Sequence, residues 1–110
     1  MKLPNRESAY IPPAKLRAYL LSEIHPVGGS KARLLRSLGF NETNIDMLKQ
    51  GLLSFAHSNA VKGTISSPHG VKYIIEGEIQ TPSGRLIKMQ TIWIIDKGQE
   101  RPRFVTAYPV

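Results

Sequence analysis

Apolar residues in the first half of the chain recur at helical spacing, and those in the second half alternate. Leu16, Tyr19 and Leu20 stand at i, i+3 and i+4, one apolar stripe with Lys15 and Arg17 pointing elsewhere. Ile11-Pro12-Pro13 leads into that stripe, and proline suits a first helical turn because its missing N–H would be unpaired there anyway. This first helix is expected to stop near Ile24, since Pro26 disfavours helical geometry at His25 and Gly28-Gly29 follows. Ser30 is a good N-cap for a second, short helix, Lys31 to Leu38, with Gly39 and Phe40 at the two positions beyond its end. Asn41 or Thr43 can cap a third, in which Ile45, Leu48, Leu52 and Phe55 keep the stripe until about His57. Gly51 weakens that helix by about 1 kcal/mol relative to alanine, which close packing against a neighbour would explain.

After Asn59 the pattern changes to short β-rich runs: Val61 to Ser66, Val71 to Gln80, Arg85 to Ile95 and Arg103 to Tyr108. Pro68-His69-Gly70, Thr81-Pro82-Ser83-Gly84 and Lys97-Gly98-Gln99 connect them, each short enough to join antiparallel neighbours. Three N-terminal helices followed by a four-stranded antiparallel meander predict an α+β fold, the helical stripes packed on one sheet face. With no repeat, linker or low-complexity stretch, residues 1–110 read as a single domain.

Composition narrows the chemistry. The absence of cysteine excludes disulfides, thiolate metal sites and nucleophilic thiols, so packing alone must hold the fold. No stretch approaches the roughly 18 apolar residues of a membrane span, and the start does not lead into a secretory segment; a soluble, cytoplasmic protein is expected. Eight basic residues oppose four acidic ones up to residue 55, and seven oppose four beyond it, for a net charge of +7. The excess belongs to the whole domain and favours a folded surface that meets a polyanion, most often nucleic acid.

His25, His57 and His69 and the eight acids show no HExxH, EF-hand or phosphate-loop spacing, so neither a metal nor a cofactor is expected. His25-Pro26-Val27-Gly28-Gly29-Ser30-Lys31-Ala32-Arg33 places an imidazole before a Gly-Gly turn and two cations in a first helical turn. An anion could settle on that helix start with His25 as acid or base, Lys31 and Arg33 offsetting its charge; the plainer reading is a helix cap with solvated cations. In the last strand, period-two alternation puts Phe104, Thr106 and Tyr108 on one face and Arg103, Val105 and Ala107 on the other. A hydroxyl and a phenol two residues apart could bind a phosphate or stack a base. Trp93 offers either a stacking surface or core packing, and Arg101 and Arg103 supply charge around Pro102 or an ordinary solvated turn. Glu76 and Glu78, paired on one sheet face, could supply a general base or simply face solvent. His57 suits a helix end, and His69 lies in a turn.

Lys15-Leu16-Arg17-Ala18-Tyr19-Leu20-Leu21, the block His25 to Arg33, Leu38-Gly39-Phe40, Trp93-Ile94-Ile95 and Pro102-Arg103-Phe104-Val105-Thr106-Ala107-Tyr108 resemble a domain of unknown function. That domain is found alone and at the C-termini of bacterial polymorphic and contact-dependent-inhibition toxins. Such toxin domains are grouped with the barnase, EndoU, colicin and RelE-like ribonucleases, small α+β domains with helices before an antiparallel sheet. The resemblance implies an active site of His25, Lys31, Thr106 and Tyr108, although the two-histidine EndoU pattern is not matched. As no delivery region precedes Met1, a free-standing protein, one half of a toxin–antitoxin pair, is expected.

The expected function is a metal-independent endoribonuclease that uses the RNA's own 2′-hydroxyl as nucleophile. Lys15, Arg33, Trp93 and Arg103 would bind the RNA, and an acidic antitoxin or immunity protein would be the other partner. The alternative is a non-catalytic module that binds RNA or protein through the same basic face.

Overall fold

The computed structural model describes residues 1–20 and 29–110, without the side chains of residues 18–20 and 29–31. The described chain holds a π-helical segment Lys15–Leu20, helix α1 (Gly29–Ser37), helix α2 (Ile45–Ser58) and four strands. These are β1 (Gly63–Ser67), β2 (Gly70–Gln80), β3 (Leu86–Asp96) and β4 (Arg103–Pro109), antiparallel in the order β1-β2-β3-β4. The α+β fold and the meander agree with the alternation and the turn residues.

The first expected helix takes a different form. Its described part turns helical at Pro13 and then winds as a π-helix through Leu20, with Leu16 buried in the core. Its expected continuation to Ile24 lies outside the described residues. Helix α1 is already helical at Gly29, so Ser30, the expected N-cap, and Lys31, the expected first residue, lie inside it; it ends as the sequence predicts, Gly39 being left-handed (φ 101°). The Gly39 N–H donates to Arg36 O (3.0 Å) and the Phe40 N–H to Leu35 O (3.1 Å), the two bonds of a Schellman end. The N-cap of α2 is Asn44 rather than Asn41 or Thr43; Asn41 Oδ1 accepts from the Thr43 N–H (2.8 Å) and Asn44 Oδ1 from the Asn41 N–H (2.8 Å), in a turn that precedes the helix.

Helix α2 buries Leu48, Leu52, Phe55 and Ala56 against the sheet. Burying each large apolar side chain contributes about 1.5–3 kcal/mol, more than Gly51 costs the helix. A methyl on Gly51 would come within 2.6 Å of Ile79 Cδ1, so the glycine lets α2 lie close on β2. The inner sheet face supplies Ile75, Ile79, Met89, Trp93, Phe104 and Ala107 to the same core. Thr91, also fully buried there, donates to Ile75 O (2.8 Å) and accepts from the Trp93 indole N–H (2.9 Å), so no polar group is stranded.

An N-terminal strap closes the fold. Met1 O accepts from the Val61 N–H, Lys2 bridges to Ala60, and Tyr10 bridges to Arg103 in parallel, the Phe104 N–H donating to Tyr10 O (3.0 Å). Leu3 and Ile11 anchor the strap in the core.

Candidate functional site on the outer sheet face

The even-numbered residues of β2 and β3 point away from α2. In register across β2, β3 and β4, the outer face reads Lys72–Ile94–Arg103, Ile74–Ile92–Thr106 and Glu76–Gln90–Tyr108. Strict alternation along β4 would not give this arrangement. Phe104 pairs with Trp93 and Thr106 with Ile92, so Val105 is an extra residue, a β-bulge that reverses the sides of everything after it. Phe104 and Ala107 are therefore both buried, and Arg103, Thr106 and Tyr108 share the outer face. The expected grouping of Phe104 with Thr106 and Tyr108 is corrected accordingly. The bulge replaces a hydrophobic neighbour of the two hydroxyls with a guanidinium.

Each of these groups is held. Arg103 donates from Nε and Nη2 to the two carboxylate oxygens of Asp96 (3.1 and 3.0 Å), a bidentate pair that lowers the Asp96 carboxyl below its usual value. The Gln90 amide donates to the Tyr108 hydroxyl, so the phenol oxygen acts as acceptor in that pair. Glu76 is paired with Lys62 and lies 3.8 Å from Lys88, and the Lys62 hydrogen bond holds its carboxyl below the ordinary range. That suits a neutralised carboxylate in a charged row better than a general base. Glu78 is exposed, opposite Lys88.

Trp93 leaves the list of RNA-binding candidates. It is wholly buried, edge-on to Phe104 with centroids 5.3 Å apart, and no base can reach its ring. Lys15 is half-buried on the π-helical segment, which packs against both β4 and α1; Arg33 is exposed on α1. Lys31 lies in the first turns of α1, its side chain among those not described, and His25 lies outside the described residues. The structure thus places Arg103, Thr106 and Tyr108 in one row on the outer face. His57 and His69 are both exposed, apart from this row.

Sequence reasoning missed Gln90, Asp96 and Tyr10. Gln90 and Asp96 share the parity of Glu76's partners on the neighbouring strand, a signal that becomes readable once the β2–β3 register is known. Tyr10 carries no local signal, because it meets Arg103 only through the strap. A cavity of about 450 Å³ opens beside it, lined by Tyr10, Asp96, Lys97, Gln99 and Arg101. Among the described residues no helix is long and apolar enough to cross a membrane.

A family model described as "Domain of unknown function (DUF6883)" matches residues 2–110. No curated protein matches the sequence. Among solved structures, a chain of a contact-dependent growth inhibition toxin–immunity protein complex from Klebsiella pneumoniae 342 is similar. The likeness covers 94% of this chain and 95% of that one with a TM-score of 0.73 at 17% identity, so the two share a fold.

Proposed function

Because the chain belongs to the DUF6883 family, and shares its fold with a chain of a toxin–immunity complex, we propose that it is a toxin-like, metal-independent endoribonuclease. The observation that carries this reading is the row Arg103, Thr106 and Tyr108, which the Val105 bulge gathers on one sheet face. A guanidinium, a hydroxyl and a phenol along one row suit an RNA backbone: the guanidinium can contact a flanking phosphate, the hydroxyl can hydrogen-bond an oxygen and the phenol can give a proton.

In the proposed reaction His25 takes the proton of the RNA 2′-hydroxyl as the O2′–P bond forms. Tyr108 gives a proton to the 5′-oxygen as the P–O5′ bond breaks, leaving a 2′,3′-cyclic phosphate and a free 5′-hydroxyl. Lys31 and Arg33 offset the charge that builds on the phosphorane, Thr106 holds a non-bridging oxygen, and Lys15 and Arg103 contact the flanking backbone. Because the substrate supplies the nucleophile, the reaction needs neither a thiol nor a metal. An acidic immunity protein that covered the same basic face would silence it.

Cleavage of tRNA and mRNA in the presence of a chelator tests the reading. The wild-type chain should cleave, and His25→Ala and Tyr108→Phe should each lower the rate about 10²–10⁴-fold, the range of general acid–base catalysis. A folded wild-type protein that binds these RNAs but cuts none would leave the non-catalytic binding module in its place.

A further inference from the structure

The cavity beside the β3–β4 turn has features that the proposed chemistry does not use. Arg101 lies over the Tyr10 ring, its guanidinium carbon 4.3 Å from the ring centroid, and its Nε donates to Ser8 O (3.1 Å). The guanidinium is therefore fixed in place while its two Nη atoms have no partner among the described residues. Lys97 and Gln99 line the same cavity, both exposed, and the Lys97 ammonium likewise has no described partner. Asp96, the only acid in the lining among the described residues, has both oxygens engaged by Arg103. Among the described residues the cavity thus carries two positive charges without a carboxylate partner, one of them preorganised on an aromatic ring.

It also borders the candidate site. Asp96 and Arg103 join the two, and Arg103 stands roughly 15 Å from Tyr108 along β4, five residues on. That span suits a few nucleotides of an extended single strand. We propose that the cavity is a phosphate subsite for single-stranded RNA: Arg101 and Lys97 hold one or two backbone phosphates to one side of the scissile bond. The outer face of the Arg101 guanidinium offers a base a plane to stack on. This subsite rests on the ribonuclease reading and adds to it a preference for unpaired RNA at a fixed distance from the cut.

The test measures binding of a 2′-O-methyl oligoribonucleotide of about 12 residues, a length matched to single-strand sites, by fluorescence anisotropy across a salt series. Such an oligonucleotide has no 2′-hydroxyl to react, so binding is read apart from cleavage. Lys97→Ala with Arg101→Ala should weaken binding, and the slope of log affinity against log salt should fall by about 1.4, near 0.7 for each phosphate no longer neutralised. On cleavable RNA the double variant should raise KM and leave kcat within about twofold, as expected when only uniform binding is removed. Arg101 also tethers the strap, so Lys97→Ala alone, which removes a side chain with no described partner, provides the arm that cannot act through folding; its slope should fall by about 0.7.

If the wild-type chain binds and cleaves RNA while both variants keep its affinity and slope, the subsite is wrong and the ribonuclease reading stands. If the wild-type chain binds no RNA at all, that reading fails and the subsite with it. Poly-glutamate that displaces the oligonucleotide as well as unlabelled RNA does would also overturn the proposal, by showing that any polyanion suffices.

Discussion

Arg36 donates to both carboxylate oxygens of Glu42, at 3.0 and 2.6 Å, and this pairing draws the Glu42 carboxyl down to about 2. Glu76 and Asp96 are lowered in the same direction, by hydrogen bonds from Lys62 and Arg103. All three bind their proton less readily in the folded chain than in the unfolded one. Their contribution is complete above the ordinary carboxylate value of about 4.5 and is lost as the solution becomes more acidic, for Glu42 down to about pH 2. Chemical unfolding should therefore show a midpoint that is flat from about pH 7 to 5 and falls between about 4.5 and 2. Glu42→Gln should flatten part of that fall. Because Glu42 and Arg36 are partly exposed, the difference should shrink as salt is added.

At the scale of elements, the bulge in β4 keeps the outer row outward by taking up one extra residue. Deleting Val105 would leave Thr106 directly after Phe104, opposite Ile92, so plain alternation would keep Thr106 and Tyr108 outward and Ala107 inward. Thermal melting of the deletion variant should show a folded chain, and under the ribonuclease reading it should keep most of the RNA cleavage, as should Val105→Ala. A folded deletion variant that no longer cleaves would show that the bulge itself shapes the site. This is also where the reach of the sequence ends. Turn residues and alternation define four antiparallel strands in their order, and Gly39 marks the end of α1, because these features depend on neighbours a few positions away. A bulge depends on the partner strand, and the register between β3 and β4 cannot be read from β4 alone. The π-helical winding of Lys15–Leu20 has the same character, since the apolar stripe predicts a helix without specifying its pitch.

For the molecule as a whole, a net charge of +7 points to a polyanion without saying where it binds. Among the described residues some cations are paired with carboxylates, such as Arg36, Lys62 and Arg103, whereas Lys97 and Arg101 meet no carboxylate partner and line the same cavity beside Tyr10. The N-terminal strap has a consequence for assembly. The meander joins each strand to its sequence neighbour, so the sheet can form hairpin by hairpin as the chain is made. The strap cannot: Ser8 waits for Arg101, 93 positions later, and Tyr10 for Arg103. During synthesis the cavity wall is thus the last piece to close, and a ribosome-held chain stopped before β4 should remain open to protease along the strap. Comparing such a stalled chain with the released protein by limited proteolysis would show the strap protected only after β4 has emerged. The proposed phosphate subsite would then take shape only once the whole sheet has emerged, after every other part of the fold.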